Sequence, residues 1–110
     1  MLYTNINKGI LFISIENFIS EKTIENLNEE VEFMLNNQGM SYYAFNFNHL
    51  NYFSNSFLNS FKNLLTEIFL KCGRVVIYGI DKINKNIFGT RNYDMYYVDN
   101  EEDIYNILKL

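Results

Sequence analysis

Apolar positions along the chain change period several times, and each change predicts an element. Leu2 to Ile6 alternates weakly, as an edge strand would, and Asn7-Lys8-Gly9 breaks it. Ile10 to Ile15 (ILFISI) is an almost unbroken apolar run, the signature of a strand covered on both faces. Ile24, Leu27, Val31, Met34 and Leu35 then recur at helical spacing behind Ser20, a natural N-cap, with Glu25, Glu29, Glu30 and Glu32 mainly between them. Asn36-Asn37-Gln38-Gly39 closes that helix, and Gly39 suits a left-handed cap. Tyr42 to Asn48 reads as a strand with Tyr43, Phe45 and Phe47 on one face.

The triplet Ser54-Asn55-Ser56 leads into a second helical stripe of Phe57, Leu58, Phe61, Leu64, Leu65, Ile68 and Phe69. Lys71-Cys72-Gly73 ends it, with Cys72 expected as a small apolar filler at the helix end. Arg74 to Tyr78 is another buried-type strand ending at Gly79, and Asp81 is placed to cap a short helix using Ile83, Ile87 and Phe88. Met95 to Val98 is the last strand, and its Tyr96-Tyr97 pair reads equally as an exposed contact or as a strand pair with one ring facing the core. Asn100 starts a final helix that buries Ile104, Ile107 and Leu108. Strands alternating with helices imply an α/β domain with a mixed, mostly parallel sheet of four or five strands and an antiparallel opening hairpin.

Composition narrows the function. The 110 residues make one domain, residues 1–110, and 48% apolar content is enough for a packed core. A net charge of −4 with scattered Lys and Arg, the only local concentration being KINK at 82–85, argues against a nucleic-acid partner. The absence of an apolar run near 18 residues and of a charged-then-apolar start argues against membrane insertion or secretion. One cysteine, Cys72, excludes an internal disulfide and suits a cytoplasmic protein.

Catalytic patterns are missing. His49, the sole histidine, is expected as a loop imidazole hydrogen-bonded to nearby backbone rather than as a lone acid or base, and with Cys72 isolated no zinc set forms. There is no phosphate-cradling glycine motif. The carboxylates from Asp99 to Asp103 begin a helix, where they favour its dipole. The expectation is a non-enzyme with no cofactor and no metal.

Against this background the chain resembles the STAS domains of bacterial anti-sigma factor antagonists. Those domains carry a strand, a turn of the form Asp-Ser-Ser/Thr-Gly and an amphipathic helix. Phe45-Asn46-Phe47 matches the strand and Leu50-Asn51-Tyr52-Phe53 the lead-in. Ser54 falls on the Asp, Asn55 on the serine that partner kinases phosphorylate, Ser56 on the next Ser/Thr and Phe57 on the Gly. Thr23, Ile24 and Leu27 match the first helix, and Gly73-Arg74-Val75-Val76-Ile77-Tyr78 a Gly-then-apolar strand. Ile87 to Tyr93 lies where the family has Leu-Leu-x-x-x-Gly-Leu, with Asn92 for Gly, and Glu101-Glu102 matches the start of the last helix. The resemblance covers nearly the whole chain.

The resemblance implies partner switching. The unmodified domain binds an anti-sigma factor serine kinase, and phosphorylation at the helix start releases it, by adding about −1.5 to −2 charge to a neutral docking surface. It implies partner contacts at Ser54, Asn55 and Ser56, with Ser20 and Asn17 on the neighbouring strand-to-helix loop. Asn55 has no hydroxyl to phosphorylate, so three readings stay open. Ser54 or Ser56 takes the phosphate instead, the domain binds without being switched, or it serves as a structural or regulatory subunit of a transporter or signalling assembly. Phe57 is expected in the buried stripe, and a partner shaped for the family's Gly is expected to fit poorly.

Overall fold

A computed structural model describes residues 2–16, 20–49, 54–80 and 95–108. Its elements run β1 (Leu2–Asn7), β2 (Ile10–Ile15), α1 (Glu21–Asn36), β3 (Tyr42–Asn46), α2 (Asn55–Leu70), β4 (Arg74–Tyr78), β5 (Met95–Val98) and α3 (Glu102–Leu108). The helix expected after Asp81 lies outside the described residues.

The strands form one five-stranded sheet in the order β1-β2-β3-β4-β5, with β1 antiparallel to β2 and every other pair parallel. Lys8 and Gly9 join β1 to β2 with φ values of 52° and 78°. Positive φ at both centre positions is what a two-residue turn of matching twist requires, and Gly9 meets it without strain.

Successive crossovers that march one way across a sheet with the same hand lie on one face. Accordingly, α1 and α2 cover one side and α3 the other. Alternation within the strands divides the core between them. Leu11, Ile13, Ile15, Tyr43, Phe45, Val75 and Ile77 pack under α1 and α2. Ile10, Phe12, Ala44, Val76 and Tyr78 meet Ile104 and Leu108 of α3. Tyr97 joins the first cluster and Tyr96 the second, so the tyrosine pair divides between the faces. Ile107, expected as buried, is only half-buried against the second cluster.

Two further expectations are corrected. β3 ends at Asn46, two residues early, because the Asn46 side-chain oxygen accepts from the Asn48 N–H and turns the chain. Phe47 nevertheless remains in the core, and its N–H donates to the Tyr78 carbonyl. Cys72 is not an apolar filler. It is exposed in the left-handed conformation, φ 61°, while the N–H groups of Cys72 and Gly73 donate to the carbonyls of Phe69 and Ile68. Those bonds close the end of α2.

Candidate functional site

Because β2, β3 and β4 are parallel, the loops leading into α1 and α2 leave the same, carboxyl edge of the sheet. Each helix begins with a serine. Ser20 Oγ accepts from the Thr23 N–H at 3.1 Å, and Ser54 Oγ accepts from the Phe57 N–H at 3.1 Å. Both caps have extended backbone, φ −91° and −76°, and each carbonyl accepts the first helical hydrogen bond, from Ile24 and Leu58.

The helices touch through Asn28 Nδ2, which donates to Ser60 Oγ at 3.2 Å. Asn28 lies eight residues beyond Ser20 and Ser60 six beyond Ser54, so with a rise of roughly 1.5 Å per residue the caps stand about 3 Å apart in height. Ser20 and Ser54 are therefore two neighbouring helix starts at one edge. Ser54 is half-buried by its capping role, whereas Asn55 and Ser56 are exposed in the first turn of α2. Asn17 lies outside the described residues, as do Leu50, Asn51, Tyr52 and Phe53.

The floor under α2 is aromatic. Phe57 is 1% exposed and stacks on Phe61 at 5.4 Å, while Phe47 meets both rings edge-on at 6.1 and 5.5 Å. The Phe57 ring thus points into the core and does not stand in the path of a partner approaching the triplet. That removes the steric argument that a partner shaped for Gly would fit poorly.

The exit of β4 supports the same edge. Gly79 has φ +86°, and a Cβ there would overlap the Asn48 backbone nitrogen. Only a glycine lets β4 leave so close to the turn that precedes α2. His49 is exposed in that turn. Nearby Tyr78 has its pKa pushed up to about 12, chiefly by burial and further by the charges of Glu101 and Tyr105.

Among the described residues no group of three or more His, Cys, Asp or Glu is placed to hold a metal ion. The carboxylates expected to favour a dipole do lie at a helix start, with Glu102 and Asp103 in the first turn of α3 and Asn100 Oδ1 accepting from the Asp103 N–H. A groove of about 270 Å³, lined by Glu32, Leu35, Asn36, Glu67, Leu70 and Lys71, lies at the opposite ends of α1 and α2. Sixteen-residue helices separate it from the serines by roughly 20 Å. Among the described residues no helix is long and apolar enough to cross a membrane.

No protein-family model matches the chain, and no curated protein matches it in sequence. Solved structures do match in shape. The anti-sigma factor antagonist SpoIIAA in its unphosphorylated form aligns with TM-score 0.81 at 12% identity, over 99% of this chain and 98% of that one. The Bacillus cell fate determinant SpoIIAA in its phosphorylated form gives 0.79 at 13%, over 97% and 99%. A serine-to-glutamate form of RsbS from Moorella thermoacetica gives 0.81 at 14%, over 98% and 94%. Across its length, this chain has the STAS-type α/β fold of the anti-sigma factor antagonists.

Proposed function

We propose that this chain is a non-catalytic protein-binding module of the anti-sigma factor antagonist type, docking a serine kinase on the face formed by Ser20 and the first turn of α2. The observation that carries the reading is the pairing of two serine-capped helix starts at one edge, with Asn55 and Ser56 exposed between them and open solvent. The shared fold supports it.

The two serines of the triplet take different roles. Ser54 Oγ is engaged as the cap, and Ser56 is exposed one position past the start of α2. Ser56 is therefore the group a kinase would reach, and Ser54 sets the geometry. A phosphate on Ser56 would sit against the unpaired N–H groups of a helix start, where it leaves the fold intact while adding charge to the docking face.

Mixing the chain with a serine kinase of the anti-sigma type from the same organism, with and without ATP, tests this. We expect a complex that Ser56→Arg abolishes, and with ATP a mass gain of one phosphate that Ser56→Ala loses and Ser54→Ala keeps. A complex of unchanged mass would favour the permanently docked subunit, a role consistent with Asn55 at the family's serine position. Failure to bind, or binding indifferent to Ser56→Arg, would sink the reading.

A further inference from the structure

We propose that β1 is a self-pairing edge, through which two copies of the chain join their sheets across a two-fold axis. The outer side of β1 is unpaired among the described residues, and Tyr3 to Asn7 are all exposed, Tyr3 by 49% and Ile6 by 51%. Proteins usually protect such an edge with charge, proline, a bulge or a covering segment. This strand, LYTNIN, carries no charge and no proline, and it pairs with β2 residue for residue without a bulge. β5, at the other edge, is four residues long and half-buried.

The edge is also held in shape. Asn7 Nδ2 donates to the Tyr105 hydroxyl at 3.0 Å, and Lys8 Nζ lies 4.9 Å from the centre of the Tyr105 ring. The hairpin is thereby tied to α3, and β1 keeps an unbroken register with β2 along its length.

Register identifies the occupant. The two-residue turn makes Asn7 and Ile10 a hydrogen-bonded pair, so Tyr3, Asn5 and Asn7 direct their backbone groups to β2. Leu2, Thr4 and Ile6 direct theirs outward. In an antiparallel pairing these three residues match their own copies when Thr4 faces Thr4, Leu2 faces Ile6 and Ile6 faces Leu2. That register satisfies every outward N–H and carbonyl of the three. It also covers the exposed Ile6 with a leucine and sets two threonines side by side, a favourable cross-strand pair. No like charges meet along the strand, although the chain as a whole is acidic. A two-fold interface must be complementary to itself, and this strand is. The site of Ser54 to Ser56 lies two strands away, so each copy keeps its own docking face.

Sedimentation of the full chain from micromolar to millimolar concentration tests the proposal. The mass should rise from 13.1 kDa towards twice that value. Thr4→Pro removes an N–H that faces away from β2 and pairs with no other strand among the described residues, a change an edge strand tolerates, so the variant should fold normally and stay monomeric. Ile6→Lys should weaken association by on the order of tenfold or more, by placing a charge against leucine. A chain that stays monomeric throughout overturns the inference, and so does a dimer that survives both variants.

Discussion

The starts of α1 and α2 are built alike and loaded differently. Each is capped by a serine whose Oγ accepts from the N–H three residues on, at the same 3.1 Å. At that third position α1 has Thr23, half-buried, its hydroxyl 3.0 Å from Ser20 Oγ, whereas α2 has the buried Phe57. The first turn of α1 carries Glu21, but that of α2 carries no acid. One helix start already holds a negative charge against its dipole, and the other presents neutral, exposed side chains over an aromatic floor. Identical caps therefore do not make the two helix starts chemically equivalent. The difference lies in what surrounds the cap.

The largest effect should separate the two third positions. Phe57→Ala removes a ring stacked on Phe61 and is expected to cost about 3–5 kcal/mol, while Thr23→Ala should cost about 1 kcal/mol or less. Urea unfolding of both variants reads the difference directly. Equal losses would mean that the aromatic floor does not hold α2 in place.

Such measurements belong below about pH 10, because the sheet carries tyrosines that titrate late. Burial raises the pKa of Tyr43 from its ordinary 10.0 to about 12, and Tyr78 reaches about 12 as well. The unfolded chain releases these protons first. Their contribution is therefore complete below pH 10 and falls away as the pH climbs towards 12, by on the order of 2 kcal/mol for each group. Tyr43→Phe should flatten that alkaline decline while costing about 1 kcal/mol at neutral pH, because the hydroxyl donates to the Met40 carbonyl at 2.9 Å. An unchanged pH profile in the variant would remove Tyr43 from the explanation.

The two caps themselves should weigh the same. Ser20→Ala and Ser54→Ala are each expected to lower stability by about 1 kcal/mol. A much larger loss at Ser54 would show that its loop, and not the hydrogen bond alone, depends on the serine.

Much of this organisation was legible from residue order. The run Ile10 to Ile15, the stripe from Phe57 to Ile68 and the Ser20 cap follow from periodicity and capping chemistry, which are local, whereas the triplet offered two serines and the fold uses Ser54 as the cap. The end of β3 was not legible, because Phe47 keeps the in-out alternation going after the chain has already turned at Asn46. Cys72 was misread because a left-handed helix end without glycine leaves no mark in hydropathy. The level pairing of Ser20 with Ser54 depends on a contact between Asn28 and Ser60, 32 residues apart, and the closeness of Gly79 to Asn48 spans 31 positions of chain. Long-range contacts of this kind join the parts of the site, and no single stretch of sequence states them.

The smallest predicted effect bears most directly on function. If the charge difference between the helix starts is real, adding a negative group to α2 and removing one from α1 must have opposite signs. Ser56→Glu places a carboxylate in the exposed first turn of α2 and should stabilise the chain by about 0.3–1 kcal/mol at low salt, whereas Glu21→Gln should destabilise it by a similar amount. Both effects should shrink as salt screens the exposed charges. A gain at α2 would mean that the proposed docking face accepts negative charge without loss of fold, as a switch that acts on a partner requires. If Ser56→Glu destabilises instead, a phosphate at that position would disturb the helix itself, and release of a partner would then come through unfolding of the first turn.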